Sequence, residues 1–273
     1  MRTLTFLLLC AVSSLTAQPI KVMTYNIRLD TQVDGVNQWD KRKHKVFAVL
    51  QKYQPDIFGV QEAKHNQMQD IAGSMTDFIY FGVGRDDGQE KGEHSAVFVR
   101  RDRFTVLDQG TFWLSKTPEV PGSKDWDAAI TRIATWGRLE DKRSGDRFFV
   151  VNTHFDHVGK ESRRHSAALI KERALALSQN LPIIMTGDFN FTREAPPYQV
   201  MMDPAGLQLL DSNPNTPGTS CGFAVGARSC SAIDYIFHTR DWESRDYQVI
   251  QDNDGTYYPS DHLPVMVTLT RKK

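Results

Sequence analysis

Six clusters of oxygen- and imidazole-bearing side chains recur along the chain, nearly all at the ends of apolar runs. They are Asn26, Gln61-Glu62, Asn152-Thr-His154-Phe-Asp156-His157, Gly187-Asp188-Phe-Asn190, Ile233-Asp234-Tyr235 and Ser260-Asp261-His262-Leu-Pro264. Taken singly, an Asn or Asp after a strand is a turn residue. Six at successive boundaries point instead to one site, because a rigid scaffold presents its functional side chains on loops. Carboxylate and amide oxygens, with no cysteine among them and few histidines, select a hard cation such as Mg2+ over zinc. Magnesium keeps several waters and shares its sphere with substrate phosphate, so one or two direct carboxylates suffice. Two histidines, His154 and His262, then donate to a phosphoryl group in transit or exchange protons with it. Asp234 is placed to orient His262 and raise its pKa.

The elements that must carry these clusters are legible as periodicities. Ile20 to Tyr25 alternates as a strand does, and Trp39, Val46, Leu50 and Tyr53 recur at helical spacing, so Trp39 to Tyr53 is read as an amphipathic helix. Further strands are expected over residues 57–60, 95–100, 104–107, 133–140, 148–152, 182–186, 234–238, 247–251 and 265–269. Helices are expected over 67–75 and from Lys160 through Leu177. Helices interspersed among many strands indicate an α/β layered domain. The stretches 85–93, 117–127 and 211–231 are rich in Gly, Pro, Asn or Asp and read as loops.

The chain has 273 residues, with 40% hydrophobic and 24% charged. With 15 Phe, 8 Tyr and 5 Trp it can bury a large core, which excludes disorder as the main state. Lys and Arg (33) balance Asp and Glu (33), so net charge does not indicate nucleic acid as a partner, although a basic face remains open. The start, Met1-Arg2-Thr3 followed by an apolar run from Leu4 to Val12 and small residues to Ala17, describes a secretory signal cleaved near Ala17. That run is too short to span a membrane. The expected organisation is therefore a leader over 1–17 and one domain over 18–273, in a secreted or periplasmic protein. Cys221 and Cys230 are then the remaining cysteines, and in an oxidising compartment they read as a disulfide, with two free thiols as the alternative.

In this order, Thr24-Tyr-Asn26, Gln61-Glu62, Asn152-Thr-His154, Gly187-Asp-Phe-Asn190, Ile233-Asp234-Tyr-Ile and Ser260-Asp-His262-Leu-Pro resemble the endonuclease/exonuclease/phosphatase superfamily. The matching pieces run from Met23 to Val265, and the pattern around His154 and the helix after it looks nearest to the nocturnin-like deadenylase branch. The resemblance implies a four-layer, deoxyribonuclease-like α/β fold: a two-sheet β-sandwich flanked by helices on both outer faces. It implies that Glu62 holds Mg2+ (Mn2+ as a substitute), with Asn26 beside it and Asp261 near or through water. Asp188, supported by Asn190, would position and activate the attacking water. His262, paired with Asp234, and His154 would bind phosphoryl oxygens. The expected activity is Mg2+-dependent phosphoester hydrolysis by direct in-line attack of water, phosphodiesters favoured over phosphomonoesters on family breadth. Nucleic acid, nucleotide, phospholipid, inositol phosphate and sugar phosphate all stay open as substrates, as does the oligomeric state.

Three other readings compete. Asn152-x-His154-x-Asp156-His157 approaches the His-x-His-x-Asp-His of metallo-β-lactamase-like zinc hydrolases but lacks the first ligand. Gly218-Thr-Ser220-Cys-Gly222 fits the Gly-x-Ser-x-Gly of serine hydrolases, with Asp234 and His262 in the matching order, but a nucleophile elbow needs a strand before it and a helix after. A non-catalytic binding module on the same fold would predict a lost site position, and all are present. Trp126 reads either as a stacking platform or as cover for a sheet edge.

Overall fold

Along residues 20–26, Ile20 and Val22 pack with one apolar cluster and Met23 and Tyr25 with another. Such a strand is buried on both faces, and a layered sandwich follows from repeating it. The computed structural model describes residues 18–213, 215, 217–226 and 229–272; the expected leader and its cleavage point lie outside them. The elements run β1 (Ile20–Asn26), α1 (Trp39–Tyr53), β2 (Ile57–Gln61), α2 (His65–Ser74), β3 (Phe78–Phe81), β4 (Val97–Arg100), β5 (Phe104–Trp113) and β6 (Ile133–Asp141). They continue with β7 (Arg147–His154), α3 (Lys160–Ser178), β8 (Ile183–Asp188), α4 (Pro196–Met202), β9 (Leu210–Asp211), β10 (Asp234–His238), β11 (Trp242–Val249) and β12 (Val265–Arg271). A short 3-10 turn over Gln32–Asn37 precedes α1.

The strands form two six-stranded sheets, ordered β11-β12-β1-β2-β4-β3 and β5-β6-β7-β8-β10-β9. Ile20, Val22, Ile57, Val97, Phe148, Val150, Ile184, Val265 and Val267 fill the space between them. The outer face of the first sheet buries Trp39, Val46, Val49 and Leu50 of α1 and Met68 and Ile71 of α2. The outer face of the second buries Ala167, Ile170 and Ala174 of α3 and Met201 of α4. The expected four layers are therefore present.

Topology explains why the polar clusters meet. Each sheet contains one parallel pair with a helix in its crossover, β1-α1-β2 and β7-α3-β8. The neighbouring strands β10 and β12 run antiparallel to β8 and β1. The carboxyl ends of β1, β2, β7 and β8 thus lie at the same rim as the amino ends of β10 and β12. In register, His154 and Asp234 both flank Asp188, and Asn26 flanks Gln61.

Beneath that rim a polar network crosses the sandwich. Gln61 Nε2 donates to Thr24 Oγ1 (3.0 Å) and to Asn152 Oδ1 (2.7 Å), and Thr186 Oγ1 donates to Asn152 Oδ1 (3.0 Å). Asn152 Nδ2 donates to the carbonyls of Val60 (2.9 Å) and Ala96 (3.0 Å). The network needs Gly59, because a Cβ there would stand 2.4 Å from Asn152 Oδ1 and 2.7 Å from Thr186 Oγ1. Gly59→Ala should therefore destabilise the protein by about 1–3 kcal/mol. A denaturant midpoint unchanged from wild type would contradict that packing.

Candidate active site

The six clusters converge at the rim on a cavity of about 290 Å3. Glu62, His154, Asp188, Asn190, Asp261 and His262 line it, together with Arg28, Leu29, Glu93, Ile130, Arg132 and His157. Asn26 and Asp234 stand behind this wall. Asn26 Nδ2 donates to Glu62 Oε1 (3.0 Å) and to Asp188 Oδ2 (2.9 Å), while its Oδ1 accepts from the Arg28 amide (3.0 Å). It ties two carboxylates from different sheets together. Asp234 Oδ2 accepts from Thr219 Oγ1 (2.6 Å) and faces His262 Nδ1 at 2.9 Å.

Asp188 is the hub. Its Oδ1 accepts from the Asn190 amide (3.0 Å), and its Oδ2 lies 3.4 Å from His154 Nε2 and 3.8 Å from His262 Nδ1. Asn190 Nδ2 is fixed on the Phe155 carbonyl (2.9 Å). Burial, followed by the neighbouring Asp234 charge, pushes the Asp188 carboxyl up to about 7, against the opposing pull of His262. Burial alone would discharge His262, but Asp234 and Asp188 outweigh it and hold the imidazolium well above the usual histidine range. For His154, burial and the nearby Arg132, Arg85 and His262 all favour the neutral ring. Two buried histidines thus differ in charge: at His262 the carboxylates of Asp234 and Asp188 outweigh burial, whereas at His154 burial and the nearby cations prevail even with Asp188 Oδ2 3.4 Å from Nε2.

At the other end of the cavity, Glu62 Oε2 accepts from the Leu29 amide (3.1 Å), and Glu62 itself adopts a left-handed backbone (φ 63°). Arg28, also left-handed and held by a two-pronged pair with Asp34, places its guanidinium 3.9 Å from Glu62 and 3.8 Å from Asp261. Burial raises the Asp261 carboxyl, His262 opposes, and the like charge of Glu62 raises it further. Two crowded carboxylates beside a positively charged stand-in are the donor set that fits a hard divalent cation. A second group, Asp188, Asp234 and His262, also brings ligand-type atoms within 4.8 Å of one another. There the His262 nitrogen already faces Asp234, so that group reads as a proton-sharing chain.

The structure separates this site from the competing readings. Asn152 is engaged inside the sandwich. Asp156 accepts four backbone N–H bonds, from Ala129, Ile130, Val158 and Gly159, so the zinc-like string does not present a ligand set. Ser220 lies in a loop bridged to Ser231 and His262, not on a strand-to-helix elbow. That loop is closed by a Cys221–Cys230 disulfide. Trp126 stacks on His165 of α3, with ring centroids 4.8 Å apart.

Arg28, Glu93, Arg132, His157 and Thr219 were absent from the expected site. His157 ends the polar string that begins at Asn152. Arg132 left a fainter signal, a charged residue directly before the apolar run of β6.

A family profile described as "Endonuclease/Exonuclease/phosphatase family" matches residues 23–262. A solved structure of an endonuclease/exonuclease/phosphatase family protein from Bacteroides thetaiotaomicron is 36% identical, with TM-score 0.89, and covers 94% of this chain and 99% of that one. A mannosyl-6-phosphatase from the same organism is 36% identical, with TM-score 0.85, covering 92% and 99%. The human nocturnin catalytic domain, at 22% identity and TM-score 0.76 over 93% and 95%, shares the fold. The Ccr4 3'-5'-exoribonuclease subunit of the CCR4-Not complex from Emericella nidulans is 24% identical over 80% of this chain. The chain spans 37% of that protein's length and 39% of the length of an uncharacterized mimivirus relative. With the profile covering most of its length and the rim geometry in place, the chain belongs to the endonuclease/exonuclease/phosphatase family, whose members are phosphoester hydrolases.

Proposed function

We propose that the protein is an exported, Mg2+-dependent phosphoester hydrolase that attacks directly with water, and that its substrate is a compact phosphate monoester of the sugar-phosphate class. The observation that carries the hydrolytic reading is Asp188: buried, lifted to about 7, and flanked at the rim by His154 and His262. A carboxyl titrating near neutrality is suited to accept a proton from water at working pH.

Asp188 takes that proton, and the Asn190 carbonyl oxygen, left over once its N–H2 is fixed on Phe155, holds the water's other hydrogen. The water oxygen bonds to phosphorus as the bond to the leaving oxygen breaks; the leaving oxygen takes up a proton from solvent, and Asp188 later returns its own to solvent. His262, kept cationic by Asp234, donates through Nε2 to a phosphoryl oxygen, and His154 meets another. Glu62 and Asp261, with Asn26 beside them, would hold the cation. A hard divalent cation held there would supply positive charge against the negative charge that develops in the reaction.

The monoester reading is supported by the likeness to a mannosyl-6-phosphatase and by the small cavity, where Arg28, Arg132 and His262 stand among Glu62, Glu93, Asp188 and Asp261. A phosphodiester such as an RNA end is the second reading, favoured by the likeness to an exoribonuclease subunit. Export is supported by the basic, apolar and small-residue start of the chain and by the disulfide. Residues 18–273 are read as one catalytic domain. Phosphate release from hexose phosphates, nucleotides, inositol phosphates, phospholipid head groups and oligonucleotides, each with Mg2+ or chelator, tests the assignment. Turnover should be highest on hexose phosphates and vanish with chelator. Turnover confined to oligonucleotides would replace the monoester by the diester reading.

A further inference from the structure

We infer that Arg132, steadied by His157, is the anchor that reads the second negative charge of the transferring phosphoryl group, restricting the site to phosphate monoesters. The inference rests on the hydrolase reading above and names the specificity device within the same cavity. Arg132 precedes β6, and its carbonyl accepts from the Leu114 amide (2.8 Å), which fixes the backbone. Its side chain is only 4% exposed yet lines the cavity beside His154 and Asp188. Nη2 lies 3.1 Å from His157 Nδ1, whereas Nε and Nη1 have no hydrogen-bond partner among the described residues.

The neighbouring carboxylates Asp156, Glu93 and Asp188 act on Arg132 through their charge, but none accepts a hydrogen bond from Nε or Nη1. Asp156 Oδ2 is 3.8 Å from Arg132 Nε, beyond hydrogen-bond range, and its oxygens are engaged by four backbone N–H groups. Glu93 is held by Arg85 in a two-pronged pair of 2.6 and 2.8 Å. A buried guanidinium with unmet donors is costly unless a ligand completes it. The planar fork suits two oxygens of one phosphoryl group. In a monoester three phosphoryl oxygens are unsubstituted and share two charges, so Arg132 and His262 can each take charged oxygens. In a diester one of those oxygens carries a second carbon and the group has a single charge.

The test compares wild type with Arg132→Met and Arg132→Lys, all with Mg2+, on p-nitrophenyl phosphate and methyl p-nitrophenyl phosphate, which share a leaving group. Inorganic phosphate binding is measured by calorimetry on the same proteins. Arg132→Met should lower kcat/KM on the monoester by about 100-fold or more and on the diester by less than about 5-fold, while phosphate affinity falls at least about 10-fold. Arg132→Lys keeps the charge without the fork and should fall between. An unchanged monoester-to-diester ratio, or unchanged phosphate affinity in a variant with wild-type melting, overturns the inference. If Arg132→Met does not fold, Arg132→Lys decides by the same two readouts. Should wild type hydrolyse neither ester, the hydrolase reading fails while phosphate affinity still decides the role of Arg132.

Discussion

Asp188→Asn should lower kcat/KM by about 1,000- to 10,000-fold in a protein that still folds but melts below wild type, because Asn26 Nδ2 loses its acceptor on Oδ2. The amide keeps the shape of the carboxyl, and Asn190 can still donate its backbone N–H to the retained oxygen. What is lost is the proton acceptor. The wild type carries a second signature: burial and Asp234 place the Asp188 titration near 7. Protonated Asp188 cannot accept a proton, so kcat/KM should fall about tenfold per pH unit as pH drops below that value. The residual activity of Asp188→Asn should lack this limb. A wild-type limb near ~4 would mean a carboxyl in an ordinary environment, and near-normal turnover by Asp188→Asn would remove the proposed base.

The second large effect lies at Glu62. Glu62→Gln preserves size but removes a full charge from the carboxylate pair, Glu62 and Asp261, that flanks Arg28. Its half-activating Mg2+ concentration should rise at least about 100-fold, since even a supporting partner of a ligand typically contributes 10- to 100-fold in affinity. Chelator should abolish wild-type turnover, and Mn2+ should restore it. An activation curve that Glu62→Gln leaves in place would move the cation elsewhere, with the Asp188, Asp234 and His262 group as the first alternative.

The sequence revealed the interior of the fold better than its margins. Strands buried on both faces, such as β1, β2, β8, β10 and β12, carry apolar residues at successive positions and were located within a residue or two. The edge strands were not. β5 continues from Leu107 through Asp108, Gln109 and Gly110 to Trp113, and β11 starts at Trp242 instead of Tyr247. The short edges β3 and β9 were not expected at all. Each lacks a neighbour on one side, so its sequence is free to be polar and its pattern fades. The short helix α4 was missed as well; it opens on two prolines, which read as a turn until their place in the first helical turn is seen.

The site divides in the same way. Asn26, Glu62, His154, Asp188, Asn190, Asp234, Asp261 and His262 were visible because strand ends concentrate them in short strings. Thr219 and Arg132 were not, because their meaning comes from partners far along the chain. Thr219 matters through Asp234, and Arg132 through two guanidinium nitrogens left without a hydrogen-bond partner among the described residues. Asn152 shows the converse. It sits in a functional-looking string and turns inward to bind two carbonyls of the opposite sheet. Trp126, open to a stacking role by type alone, already has a ring partner in His165.

The proposed chemistry turns on direct attack of water on phosphorus, organised by Asp188. A single turnover in water enriched in heavy oxygen, followed by mass spectrometry of both products and of the protein, measures it most directly. Direct attack predicts one heavy oxygen in the released phosphate, none in the alcohol, and no phosphorylated protein at any time point. Label in the alcohol, or a phosphorylated side chain that forms and decays with turnover, would contradict it.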